Sequence, residues 1–486
     1  MRASKAAPEN MSVSCCAGST AVVDEKGDLW EIGRSATSMG CELPCRMRFA
    51  EQQVQMVSVG YTHTCCVTRS GAVWAWGLGQ HGQLGARAAA EPGADTVPRL
   101  PQQLSRELCG GVPAVMVACG QDFTLVLSAT GAVWTFGENK EGQLGVGDFG
   151  PRASALQAGD ARFRAARIVM VAAGTAHAVA ADATGSVYTW GSDICQALGY
   201  TRTDPSHSAK AAAQPRAVNL KAEEGDRAVF VAAGGFCSMA LTEDGVLYAW
   251  GANSHGQLGI GHCARVTAPN KVYLRDMQDD YLPVVLVACG GEHTLAVSCD
   301  GMLWLFGSPH NCAAEGRELR LLPTPVMRSS FGGRGIVSVS AGSHHSAVVD
   351  QAGTLYTWGE GTFAYDKHML AQKDCHQTYP GGLGHVGLNN LEAPLVVAKK
   401  LLKSRRVGCC HPLPPAKVLA LAMGMHTCLS RIGNTPQRYS LHDLPRSVLQ
   451  CIARAARGAP EGAGGNLHGL SALLGGIVLD SPHEDA

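Results

Sequence analysis

The chain lacks most of the features that sort proteins quickly into classes. It has no excess of either charge: 40 Lys and Arg balance 40 Asp and Glu. A global pull toward nucleic acid or an anionic membrane is therefore missing. Charged residues make up 16% of the chain, below the usual quarter. No apolar run approaches the length needed to span a bilayer. The opening stretch, Met1-Arg2-Ala3-Ser4-Lys5-Ala6-Ala7-Pro8-Glu9-Asn10, has no apolar core and does not read as a secretory signal. The 19 cysteines are odd in number and form no disulfide-like spacing. They read as reduced thiols serving as small buried hydrophobes, in a cytoplasmic or nuclear protein.

What is present is glycine, 59 residues of it, and hydrophobic residues at 46%. Both follow one repeated pattern. Gly71-Ala72-Val73-Trp74-Ala75-Trp76-Gly77 places two indoles two residues apart, on one face of a strand. The segment recurs at 27–33, 131–137, 185–191, 245–251, 301–307 and 353–359, making seven copies that contain all eight tryptophans. Each of the last six is preceded by a strand-like run opening on a glycine: Gly60, Gly120, Gly174, Gly234, Gly290 and Gly342. These glycines lie about 52 to 60 residues apart, the range of propeller blades. A further apolar run precedes each opening glycine, and a proline-containing strand follows each hairpin. Each unit thus offers about four strands, apolar on both faces, as blades stacked between neighbours require.

The fold expected is all-β: a seven-bladed propeller of four-stranded blades at 11–432, after a disordered stretch at 1–10. A short helical C-terminal extension, with a disordered tail, is expected over 433–486. Asp443 is a plausible N-cap for an amphipathic helix at 441–456. A partial repeat, Gly424-Met425-His426-Thr427-Cys428-Leu429-Ser430, is a candidate to pair with N-terminal strands and fasten the ring.

The pairing of Gly-x-x-His-Thr with Gly-x-Val-Trp-x-Trp-Gly and Gly-Gln-Leu-Gly, complete at 60–85, resembles the regulator of chromosome condensation repeat family. The resemblance covers roughly 13–430. Trp-Asp dipeptides and kelch-type spacings are not arrayed here. The family implies a seven-bladed propeller. Its founding member is a nucleotide exchange factor for the small GTPase Ran, and other members are interaction or ubiquitin-pathway proteins. A fold of this kind does not by itself assign function.

In the founding member, functional acidic and histidine residues lie at or just before the motif histidine. By position the counterparts here are Asp122, Glu292, His344 and His345, with Thr62 the corresponding residue of the most regular unit. The repeat histidines have a plainer reading as hydrogen bonds between blades. The unit opening at Gly174 carries Ala176 at this position. The insertion at 362–380 contains Tyr365 and His368 and reads either as a wedge that grips a partner or as a plain surface loop.

Other motifs carry no chemistry. Gly77-Leu78-Gly79-Gln80-His81-Gly82 satisfies a dinucleotide fingerprint, but no helix follows, so it is a blade turn. His368, Cys375, His376 and Cys409-Cys410-His411 lack two well-spaced ligand pairs for zinc. The basic run at 399–406 fits a solvated blade edge or a contact to phosphate or an acidic partner. The reading is a protein-binding propeller, not an enzyme and without cofactor or metal, monomeric, with no membrane or clear nucleic-acid role. Its expected partner is a small GTPase or another protein, the more specific expectation being that it promotes nucleotide exchange on a Ran-like GTPase. The alternatives are a ubiquitin-ligase adaptor, since Leu444-Pro445-Arg446-Ser447-Val448-Leu449 resembles the opening of an F-box, and a scaffold without exchange activity.

Overall fold

A computed structural model describes residues 12–16, 18–33, 41–47, 49, 53–85, 99–200, 211–220, 227–308, 319–360 and 390–398. They form seven four-stranded antiparallel sheets, each meandering in chain order. Blade 1 spans 12–47, blade 2 54–103, blade 3 114–157, blade 4 168–218, blade 5 228–272, blade 6 284–326 and blade 7 336–398. A two-stranded hairpin, Leu274–Arg275 with Tyr281–Leu282, is inserted between blades 5 and 6.

The first strand of each blade is innermost, and these strands line a central channel of about 650 Å³. The second strand is sandwiched between neighbouring blades, and its six residues are buried throughout in blades 2 to 7. That is why these segments are apolar on both faces rather than alternating. Trp76, Trp190, Trp250 and Trp358, the second aromatic of their hairpins, are fully buried. Three of their indole N–H groups reach back to the preceding blade: Trp76 to Glu31 Oε1 at 2.8 Å, Trp190 to Gln143 O and Trp250 to Ala197 O at 2.9 Å. The tryptophans are therefore seams between blades as well as core.

Blade 1 draws all four of its strands from 12–47, and the ring closes directly between blades 7 and 1. The Cys15 N–H donates to Ser340 Oγ at 2.8 Å, and Thr20 meets His345 across the same seam at 3.0 Å. The candidate fastening strand near Gly424 lies outside the described residues.

One part of the expected fold class is corrected. Among the described residues no helix reaches seven residues; the one α-helix, Ala161–Ala165, has five. A helical extension is therefore no part of the described fold, and the segment on which it was expected, with the rest of 433–486, lies outside the described residues, as does 1–10. The physical reason is that every described apolar periodicity of any length is satisfied by sheet pairing. No helix among the described residues is long and apolar enough to cross a membrane. None of the twelve cysteines whose side chains are described is assigned to a disulfide, and seven of them are buried.

Candidate functional site: one mouth of the ring

The turn between the first and second strands of blades 2 to 7 is built the same way. In blades 2 to 6 its opening glycine packs against the equivalent glycine of the next blade, and in blade 7 Gly342 packs near Cys15 of blade 1. A Cβ on Gly174 would lie 2.5 Å from Gly234 O, and one on Gly290 would lie 2.5 Å from Gly342 O. Nothing but hydrogen fits there. Backbone bonds cross the same gap, with Gln121 N–H donating to Thr175 O at 3.1 Å and Gly235 N–H to Gly290 O at 3.1 Å.

Next in the turn is the position before the motif histidine. Its carbonyl is pinned from within the blade. Thr62 O accepts from Leu78 N–H at 2.9 Å, Asp122 O from Glu138 N–H at 2.8 Å and Glu292 O from Ser308 N–H at 2.9 Å. The glycine of each Trp-Gly pair is what lets these strands approach. Gly77 has φ +110°, and a Cβ on it would sit 2.5 Å from Thr62 O. Thr62, Asp122, Ala176, Phe236, Glu292 and His344 thus occupy equivalent turns of successive blades, and Phe236, Glu292 and His344 among them line the channel.

The motif histidine comes last and points into the seam. His63 Nε2 meets Thr124 Oγ1 at 2.8 Å, His177 meets Ser238 at 3.0 Å, His293 meets Ser346 at 2.8 Å and His345 meets Thr20 at 3.0 Å. Each bond joins one blade to the next. Burial pushes His177 down to about 4. Burial and the neighbouring His344 push His345 down to about 4. Burial, then His345 and His344, push His293 down to about 3. His177, His293 and His345 are therefore neutral at physiological pH and act as uncharged pegs between blades.

The residues singled out from sequence therefore separate. Thr62 and Asp122 come together: Thr62 Oγ1 donates to Asp122 Oδ1 at 2.9 Å, and Gln83 Nε2 reaches Thr62 Oγ1 at 3.2 Å. Glu292 lies across the mouth, 3.7 Å from His255 Nε2, with both side chains 37% exposed. His344 is partly exposed and lines the channel with Glu292. His345 is fully buried on its blade 1 bond and does not reach the rim. Tyr365 and His368 lie outside the described residues.

Two features escaped the sequence reading. Phe236 occupies the blade 5 counterpart of Asp122 and is 37% exposed, a large apolar contact beside Ala176 in a series whose other four members are polar. Its signal was its place one residue before Cys237, which stands where other blades have histidine. The second is His81 Nδ1, 2.9 Å from Glu138 Oε2, with Lys140 Nζ at 3.1 Å from the same oxygen. Partial burial pushes the Glu138 carboxyl up. Bonds from Lys140 and the Asn139 N–H, with His81 beside it, outweigh that and hold it below the usual carboxylate range.

A ring of seven blades with a pinned array of variable side chains at one mouth defines a propeller that presents loops, with no nucleophile–base pair among them. Residues 52–411 match the RCC1-like domain family model. The chain belongs to that family. It is 31% identical over 317 residues to the ultraviolet-B receptor UVR8 of Arabidopsis thaliana, covering 64% of this chain and 66% of the receptor. It is 34% identical over 336 residues to the secretion-regulating guanine nucleotide exchange factor of Mus musculus, covering 63% of this chain and 67% of that protein. Against the E3 ubiquitin-protein ligase HERC2 of Homo sapiens the identity is 27%, and the match spans 75% of this chain but 7% of the ligase. Prp20p of Saccharomyces cerevisiae superposes with a TM-score of 0.61 at 24% identity, over 82% of this chain and 91% of that one. That likeness shows the fold alone.

Proposed function

We propose that the chain is a protein-interaction propeller whose glycine-lined mouth receives a small GTPase of the Ran type and promotes release of its nucleotide. The observation that supports this reading is that Glu292 and His344 line the channel, while Asp122 stands at the equivalent turn of blade 3 with its carbonyl bonded within the blade as that of Glu292 is. An exchange factor needs no nucleophile. It needs fixed acidic and imidazole groups that compete for the cationic and hydroxyl groups with which a GTPase holds phosphate and Mg²⁺. Thr62 acts through its bond to Asp122, and His345 acts as a positioning residue for His344. Tyr365 and His368, which lie outside the described residues, are further candidates for partner contact in this reading.

The printed names of two relatives support it: the mouse relative is called a guanine nucleotide exchange factor, and the yeast structure was solved in a study of binding to Gsp1p and histones. The ubiquitin-pathway reading rests on 444–452, outside the described residues, and on a ligase of which the match covers 7%. The test mixes purified full-length chain with Ran-like and other small GTPases loaded with fluorescent nucleotide. Faster release, reduced about tenfold or more by Asp122→Ala and by His344→Ala, is expected for groups that act mainly in the nucleotide-free complex. Release at the intrinsic rate with every GTPase removes the reading. Acceleration unchanged in both variants removes the residue assignment.

A further inference from the structure

The seam between blades 2 and 3 holds more than a peg. His63, Cys65 and Cys119 are all buried, and one ligating atom from each lies within 4.8 Å of the other two. His63 and Cys65 are two apart on one strand and so share a face. Cys119 is the last residue of the innermost strand of blade 3, held there by its N–H bond to Ser58 Oγ at 2.9 Å.

The hydrogen bonds settle which way the imidazole faces. The Thr124 hydroxyl donates its proton to Gln83 O at 2.9 Å. It therefore accepts from His63 Nε2–H at 2.8 Å. That tautomer leaves a lone pair on Nδ1, and Nδ1 is buried with no hydrogen-bond partner.

The peg does not need sulfur. At the seam of blades 4 and 5 the matching residues are His177, Val179 and Ala233. At that of blades 6 and 7 they are His293, Leu295 and Ala341. At that of blades 7 and 1 they are His345, Ala347 and Cys15. Among the described residues, two thiols join a motif histidine only between blades 2 and 3.

We propose that His63, Cys65 and Cys119 form a binding site for a thiophilic d¹⁰ divalent cation, Zn²⁺, joining blades 2 and 3. The ligand types are those zinc favours, and two thiolates with one dication leave no net charge in a dry seam. These three residues leave the fourth tetrahedral position to a water molecule or hydroxide, while Thr124, on the Nε2 side of the ring, holds the imidazole in place. Each thiol loses its proton to solvent as the ion enters. The site is independent of the proposed exchange activity, which stands or falls separately.

The test uses the full chain purified without chelator, incubated with ZnSO₄ and freed of loose metal by gel filtration. About one tightly held zinc per chain is expected. Adding Co²⁺ to metal-free chain gives the thiolate-to-cobalt charge-transfer absorption, a readout on the unmutated protein that no folding defect can mimic. Cys65→Ser and Cys119→Ser each lower bound metal at least tenfold. Cys66→Ser, next in the same strand but on its opposite face, leaves it unchanged. Absence of zinc and of the cobalt band from the unmutated chain overturns the site. So does undiminished metal in the Cys65→Ser/Cys119→Ser double variant, which places the ion elsewhere.

Discussion

Two neighbouring seams solve one packing problem in opposite ways. Between blades 2 and 3, His63 meets the hydroxyl of Thr124. Between blades 3 and 4 the motif histidine is replaced by Phe123, fully buried, and the hydroxyl position by Ala178. Both members of the pair have become apolar together. A buried hydrogen bond gives a small net gain, while an orphaned member costs its full desolvation, so only paired replacement is tolerated cheaply. The consensus letters of this repeat are thus half of a sentence whose other half lies about 60 residues on. The seam of blades 5 and 6 goes further, with Cys237 in the histidine position beside Cys289, whose thiol the Cys237 thiol and burial push well up.

The largest expected break of this contrast comes from acid. His177, His293 and His345 have folded values lowered below the ordinary 6.5, so the unfolded chain takes up their protons first. Their stabilisation is complete above about 6.5 and is lost as pH falls toward about 4, or about 3 for His293. Each histidine contributes a slope of about 1.4 kcal/mol per pH unit in that window. Urea midpoints recorded from pH 7.5 to 4.5 should fall accordingly, and His177→Phe with Ser238→Ala, which copies the apolar seam, should flatten the curve by about one proton.

Next in size, Phe123→His alone should destabilise by about 2 to 4 kcal/mol, since it sets an unpaired imidazole against Ala178 and removes ring volume. Adding Ala178→Thr should recover about 1 kcal/mol, read as a non-additive double-mutant cycle. An additive pair would show that the two positions do not communicate. Ser346→Ala, which orphans His293 Nε2, should cost about 1 to 3 kcal/mol by chemical denaturation. Smallest of all, Phe236→Ala should change stability by less than about 0.5 kcal/mol, because the ring is partly in solvent. It should still weaken a partner that covers the mouth, measurable by titration calorimetry.

The ring was legible because its units repeat: the Trp-Gly hairpin and opening glycine fix the strand order and predict which histidines lie between blades. The partner of each histidine was less legible, since Thr124 or Ser346 is remote in sequence and looks like any strand hydroxyl. Blade 1 was legible in its 27–33 segment but not in its first turn, where Ser19, paired with Gly33 as His63 is with Gly77, stands in the histidine position, though Thr20 still receives His345. Phe236 was passed over because Cys237 interrupts the motif beside it. The hairpin at 274–282 has no repeat to announce it.

The contact of opening glycine on opening glycine sets more than a close approach. From blade 2 to blade 7, spacing around the rim is set by main chain against main chain, with the motif histidine, phenylalanine or cysteine of the same turn packed beside it. The circumference of the mouth is thus decoupled from what stands on it. Threonine, aspartate, alanine, phenylalanine, glutamate and histidine occupy six consecutive stations of one gauge. Substitution at any of them rewrites the chemical inscription of the rim while the backbone gauge is kept, side-chain coupling being confined to pairs such as Thr62 and Asp122.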